Sequence, residues 1–338
     1  MNEPRVEPPS LDMIHDIEDG VWKATVLKAA LELEVFTTIA EGHHTLKDIV
    51  AATQCSERGM CILLDALCPL GLLSKSGGEY ALTPTSEVYF VPGKPTYYGD
   101  WCLRIELAWE ARGRIAEGVR TGKAVGVDAT KADSDDLWAS DYANALLNWP
   151  QRAKQYREIW ETLNINKETQ PGLRILDAAC GPGVKSFVLA QADSNARVTA
   201  LDLPKVLEKV TTKVAEAMGV KEQVTFCSDD ILTADFGTEQ FDIILFGLIL
   251  YFFNSDQVRD ILQRAHQALK SGGLVVIHSG IADEERCQNE YALMVAFQLF
   301  IFCPESEVYT FSEYKELLEQ AGFSSVIRHS DTLTSATE

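Results

Sequence analysis

Basic residues are scarce in this chain: 30 Lys and Arg stand against 50 Asp and Glu in 338 residues, a formal net charge of −20. Nucleic-acid binding draws on clustered cations, so that balance argues against a polyanionic partner. It argues equally against docking on an anionic membrane surface. Long apolar runs are missing too. The longest, around Phe297 to Cys303, falls far short of the ~20 residues a membrane span needs, and no charged-then-apolar leader opens the sequence. None of the eight cysteines, at 55, 61, 68, 102, 180, 227, 287 and 303, has CxxC spacing to another. Reduced, core-filling thiols in a cytoplasmic protein fit that scatter. No metal site is expected: His43 and His44 fall in a turn with no further ligand nearby and read as a solvated loop.

What is present suggests two domains, since 338 residues exceed one ordinary core. Residues 1–10, rich in proline and charge, read as a flexible arm. From Leu11 to Ala40 apolar residues recur three or four apart, at Ile14, Ile17, Val21, Ala24, Leu27 and Leu31, as on one packed face of a helix or helix pair. Thr45 with Asp48 caps a short helix and Ser56 caps another. LLSKSGGEYALT then reads as two strands joined by a glycine turn. Helix, helix, hairpin is a winged-helix arrangement over residues 11–115. A DNA-reading role fails on charge: residues 1–100 hold 7 Lys or Arg against 15 Asp or Glu, and the helix that would enter a groove, Glu57 to Leu70, offers only Arg58. Residues 116–168 form a helical linker region, with an interruption expected near Pro150.

The stretch Leu173 to Gly183, LRILDAACGPG, organises the remainder, residues 169–338. A short apolar run ends at Asp177 and passes through Ala179, Gly181 and Gly183 into the helical spacing of VKSFVLAQA. Strand, glycine turn, helix opens a nucleotide-binding βαβ unit, whose glycines allow close backbone approach and whose helix N-terminus adds a positive dipole end. Asp202 closes a second apolar run 25 residues after Asp177, where a carboxylate can accept ribose hydroxyls. Asp230 closes a third, where an acid followed by Ile231 can hold an adenine amino group and cover the ring. FDIILFGLILY and LVVIHSG supply two more runs around the helix SDQVRDILQRAHQALK. Five strands alternating with helices make a doubly wound, mostly parallel α/β sheet of Rossmann type. SSVIRHS is a sixth strand, and the sequence stops at Glu338 about where a last antiparallel strand should begin.

These motifs, with ALDLPKV, SDDI, ILYFFNSDQVRDIL and ALKSGGLVVI, resemble the class I S-adenosylmethionine (SAM)-dependent methyltransferases. More narrowly they resemble the two-domain small-molecule O-methyltransferases, which include plant phenylpropanoid and bacterial polyketide and pigment enzymes. The resemblance covers nearly the whole chain. It implies SAM as cofactor, a small hydroxylated or enolisable acceptor of aromatic or polyketide type, and a homodimer built on the N-terminal winged-helix domain. It places the cofactor on Asp177, Ala179, Gly181, Gly183, Asp202 and Leu203, and on Asp230, Ile231, Phe246 and Gly247. Tyr142, Trp149, Met294 and Phe297 would line the acceptor cavity. Two departures stand out. Ala179 replaces the loop's usual first glycine, and Tyr251 replaces the histidine general base of many members. His278 falls where several members place the carboxylate that steadies that histidine, so Tyr251 and His278 are expected to have exchanged duties, His278 taking the acceptor's proton and Tyr251 orienting its oxygen. The alternatives are C-methylation and a non-catalytic SAM-binding or regulatory homologue. An NAD-dependent reading is weaker, because Ser186 stands where a GxGxxG fingerprint needs its last glycine.

Overall fold

The computed structural model of the chain describes residues 10–338 apart from 95, 104–108, 110, 127–135, 137, 140–144, 167, 169 and 304, with backbone alone at 145–147. The expected arm, most of the KADSDD stretch and Tyr142 lie outside the described residues. The chain divides into two compact units, Met1–Glu106 and Leu107–Glu338.

In the first unit, helices α1 (Asp12–Glu32) and α2 (Val35–Ala40) are separated at Glu34, whose φ of 53° breaks the helical path. The side chain of Thr45 accepts the Asp48 amide to start α3 (Leu46–Thr53), and Ser56 accepts that of Gly59 to start α4 (Glu57–Leu67). The hairpin β1 (Leu73–Ser76) and β2 (Glu79–Leu82) turns at Gly77 and Gly78, both at positive φ as a tight two-residue turn requires. Short helices α5 (Pro84–Tyr89) and α6 (Gly99–Leu103) follow. Phe36, Ile39, Ile49, Met60, Leu64, Leu67 and Tyr80 form the core. The stripe on α1 is a correction to the expected packing. Only its C-terminal end, Ala30 and Leu31, is buried. Ile14, Ile17, Val21 and Trp22 are 53%, 71%, 59% and 66% exposed. The helical period is right, but the first half of that face is left uncovered among the described residues.

The second unit opens with α7 (Ile115–Thr121) and α8 (Ala145–Thr162). Pro150 does not interrupt α8. The described helix runs through it from Ala145 to Thr162. The sheet comprises β3 (Arg174–Ala178), β4 (Arg197–Asp202), β5 (Val224–Ser228), β6 (Phe241–Gly247), β7 (Leu269–His278), β8 (Ser324–Ser330) and β9 (Leu333–Thr337). Spatial order is β5-β4-β3-β6-β7-β9-β8. The first five strands are parallel, and β9 pairs antiparallel with both β7 and β8. The last antiparallel strand is therefore present within the final residues. LTSAT lacks an apolar run, yet Leu333, Thr334, Ser335 and Ala336 are all buried.

The helices on the sheet's flanks are α9 (Val184–Ala192), α10 (Pro204–Val206), α11 (Thr212–Met218), α12 (Ser255–Ala268), α13 (Glu290–Phe300) and α14 (Phe311–Gln320). A π turn, Leu207–Thr211, joins α10 to α11. One apolar group fills the face under α12 and α14, and a second fills the face under α8, α9 and α11. Five parallel strands thus present their carboxyl ends along one edge, the position where open α/β sheets receive ligands.

Candidate active site

At the end of β3 the chain takes three left-handed steps: Ala179, Gly181 and Gly183 have φ of 58°, 53° and 74°. A Cβ at Gly183 would run into the Phe187 ring one helical turn on, so only glycine closes this turn. Ala179 adopts the same region with a Cβ, at a cost of roughly 1–2 kcal/mol. Three side chains fix the loop. Asp202, buried at the end of β4, accepts the Gly181 amide on Oδ2 at 2.7 Å and the Leu203 amide on Oδ1 at 2.7 Å. Thr211, in the π turn and fully buried, donates to the Gly181 carbonyl at 2.6 Å. Ser186 donates to Asp177 Oδ2 at 2.6 Å and to the Gly183 carbonyl at 3.1 Å. Burial pushes the Asp177 carboxyl up to about 7, with the Ser186 bond and the Lys185 charge pulling the other way.

The remaining expected cofactor residues divide by exposure. Asp230 is exposed at the end of β5 and its Oδ1 accepts the Leu232 amide at 2.9 Å. Ile231 is buried beside it, and Leu203 is half-buried. Phe246 is fully buried among Leu176, Ala178 and Ile244, so its side chain serves the core and only its backbone reaches the edge. Gly247 ends β6 in register with His278 on β7. A Cβ at Gly247 would lie 2.6 Å from Lys185 Nζ, which occupies the space that a side chain there would need.

Tyr251 and His278 fall into different surroundings. Tyr251, on the short turn Leu250–Phe252, packs with Ala282, Ala292 and Val308. Burial, reinforced by Tyr291 and Tyr314, pushes its hydroxyl well above the ordinary phenol range. His278 instead stands edge-on to Tyr156 of α8, ring centres 6.3 Å apart. Its Nδ1 is buried without a hydrogen-bond partner. Burial, then the Lys185 charge, pulls its pKa down to about 3, so the imidazole is neutral at physiological pH. No hydrogen bond joins the two residues. Tyr251 turns toward α13 while His278 faces α8.

Trp149 is half-buried against the same apolar group as Tyr156, one face of α8. Met294 and Phe297 lie on α13 with Tyr291, and the three are 57%, 48% and 66% exposed. The start of α13 sits beside the sheet edge: a Cβ at Gly280, two residues past β7, would lie 3.8 Å from the Tyr291 ring. Trp138 meets Phe252 edge-on, ring centres 5.1 Å apart. Sequence reasoning missed Lys185, Thr211 and Tyr156 as site residues, and used Ser186 only to exclude a different cofactor. The Ser at the third glycine position was the one available signal, since a hydroxyl in that tight helix start needs an acceptor.

The comparisons follow this geometry. An O-methyltransferase dimerisation domain matches residues 16–92, and a methyltransferase domain matches residues 175–273. The chain belongs to the two-domain, SAM-dependent O-methyltransferase family. It is 27% identical over 319 residues to 3-hydroxy-5-methyl-1-naphthoate 3-O-methyltransferase of Streptomyces sahachiroi, covering 93% of this chain and 90% of that one. It is 26% identical to the tetracenomycin polyketide synthesis 8-O-methyl transferase of Streptomyces glaucescens, covering 90% and 89%. The crystal structure of human N-acetylserotonin methyltransferase in complex with SAM shares the fold, with a TM-score of 0.80 over 99% of both chains at 20% identity.

The cofactor of this methyltransferase is SAM, and the residues present fit it. A buried carboxylate at the end of β4, an exposed one just past β5 and a loop whose Gly183 cannot carry a Cβ fit a cradle for an adenosine and its chain. Among the described residues no helix is long and apolar enough to cross a membrane.

Proposed function

We propose that this methyltransferase acts on a hydroxyl of a flat, largely apolar aromatic or polyketide natural product. The observation that carries this reading is the exposed row Tyr291, Met294 and Phe297 on α13, beside Gly280 and the Tyr251 turn at the carboxyl edge of the sheet. Large exposed apolar side chains in a contiguous row call for an apolar ligand or partner. The two bacterial relatives support the class, since their names specify a naphthoate and a tetracenomycin polyketide, each methylated on oxygen.

SAM supplies a methyl group on a sulfonium, open to in-line attack. The protein's part is to align the acceptor, exclude water and accommodate the departing proton. Asp202 and Asp230 would hold the ribose and adenine ends, with Asp177, Ala179, Gly181, Gly183 and Leu203 forming the loop surface. Tyr251 would orient the acceptor oxygen as a neutral phenol. His278 is neutral and therefore available to take a proton, but a conjugate acid near 3 makes it a feeble base toward a phenol of ~10. Turnover then leans on alignment and on the acceptor's own acidity. The test is a screen of phenols and β-dicarbonyl compounds with methyl-labelled SAM. Label on a phenolic oxygen supports the reading, and label confined to carbon would replace it with C-methylation.

The homodimer belongs to the same proposal. Ile14, Ile17, Val21 and Trp22 form an exposed apolar face on α1, within the residues that match the dimerisation domain. Paired copies would cover it. Light scattering should return twice 37.4 kDa at micromolar concentration, and Ile17→Asp should halve the mass. A wild-type mass near 37.4 kDa would contradict the assignment. The free state of all eight cysteines supports a reducing, cytoplasmic setting.

A further inference from the structure

Lys185 differs from four other lysines of the methyltransferase unit. Lys205, Lys209, Lys221 and Lys270 each hold a carboxylate at 2.6–2.7 Å, although their side chains are 39–53% exposed. Lys185 is half-buried and, among the described residues, forms no ion pair with a carboxylate. Its ammonium rests 5.3 Å from the centre of the Tyr156 ring and fills the space above Gly247. An aromatic face attracts a cation but leaves its N–H donors without acceptors. His278 stands edge-on to the same ring and feels the Lys185 charge, and its buried Nδ1 lacks a partner. Asp177 feels the Lys185 charge, but its carboxyl is buried and engaged by Ser186.

Two unsatisfied polar groups therefore border one aromatic ring at the ends of β6 and β7, beyond the loop that follows β3. Of the two, His278 Nδ1 is the buried atom, and a buried polar atom without a partner calls for an explanation that a bound ligand would supply. We propose that Lys185 is the anchor for a carboxylate group bound at the β6–β7 edge, with His278 Nδ1 as a second contact. The inference rests on the methyltransferase reading. A carboxylate suits the site better than a phosphate, because Asp177 and Asp202 hold the loop just behind Lys185 and a dianion would meet both. Two sources carry that chemistry here: the methionine end of the cofactor, or an aromatic acid acting as acceptor.

The experiment uses the full chain with Lys185→Met, which keeps the apolar stem against Tyr156, and Lys185→Arg, which keeps the charge. Thermal melting first establishes that both variants fold. Calorimetry then compares S-adenosylhomocysteine with 5′-methylthioadenosine, which lacks the carboxylate. Fluorescence titration of the S-adenosylhomocysteine-loaded protein compares 3-hydroxy-2-naphthoate with 2-naphthol. Loss of a charge-assisted bond weakens a ligand about tenfold or more. Such a loss for S-adenosylhomocysteine but not methylthioadenosine in Lys185→Met, recovered in Lys185→Arg, assigns the site to the cofactor. The same loss for the naphthoate but not the naphthol assigns it to the acceptor. Unchanged binding of all four, or equal weakening of the acidic and neutral member of each pair, would overturn the proposal. Failure of the wild-type chain to bind either sulfur nucleoside would instead overturn the methyltransferase reading, and the inference with it.

Discussion

Two stretches of the same sheet edge differ in how far their polar atoms are already engaged. At β3 and β4 the loop is tied from three directions: Asp202 accepts two amides, Thr211 donates to Gly181, and Ser186 donates to Asp177. At β6 and β7 the situation reverses. His278 Nδ1 is buried without a partner, Lys185 has a ring beneath it and no carboxylate, and Tyr291, Met294 and Phe297 face outward. The first region is preorganised, so that binding there costs little ordering. The second leaves its interactions to be completed by the molecule that arrives. A methyltransferase with one constant cofactor and a chemically particular acceptor is well served by that division.

The sharpest way to separate the two regions is through pH, because Asp177 in the first and His278 in the second are buried titratable groups that act in opposite directions. Asp177 has a folded pKa raised to about 7, so the folded state holds more protons than the unfolded state between ~4 and 7 and loses stability as pH rises through that window. His278 has a folded pKa lowered to about 3, so the unfolded state holds more protons between 3 and ~6.5 and stability rises with pH there. In the cofactor-free wild type these slopes largely cancel from pH 4.5 to 6. Asp177→Asn should gain about 2 kcal/mol relative to wild type as pH rises across that range, and His278→Gln should lose about as much. Denaturant melts at several pH values measure both. Two variants with the same slope as wild type would mean that neither environment is as described.

A smaller effect is expected in turnover. Tyr251→Phe and His278→Ala, assayed on a confirmed acceptor, should each lower kcat by less than tenfold, with SAM binding intact, because neither residue is a strong base. A hundredfold loss in His278→Ala, together with a shifted pH–rate profile, would restore it as the general base. Smallest of all is Ala179→Gly. Relief of the left-handed strain and the added flexibility of the unfolded chain oppose each other, so the melting free energy should move by less than about 1 kcal/mol in either direction.

Local patterns in the sequence carried the loop after β3 and the strand ends beside it. Asp177, Gly181, Gly183 and Asp202 are tied to strand ends and tight turns, and both features are legible in a short window of residues. The caps at Thr45 and Ser56 were legible for the same reason. Lys185, Thr211 and Tyr156 were not, because their roles come from helices that pack back over the edge, and ordinary helical positions carry no local mark of it. β9 was hidden because its Thr and Ser residues are buried by neighbouring strands rather than by hydrophobicity. Tyr251 and His278 occupied strand-end positions as expected, yet adjacency in topology did not make them partners. Side-chain direction depends on what packs from α8 and α13, which no strand pattern contains.

The account turns on Asp202 as the centre of the preorganised region, and calorimetric titration of S-adenosylhomocysteine into wild type and Asp202→Ala tests it most directly. Charge-assisted bonds to a buried carboxylate are each worth ~1.5–3 kcal/mol, and Asp202, the proposed ribose contact, also holds Gly181 and Leu203 in place. The variant, checked by melting to be folded, should bind at least tenfold more weakly. Affinity within about twofold of wild type would show that the carboxylate serves the loop and the α10 start alone, and that the cofactor is held elsewhere.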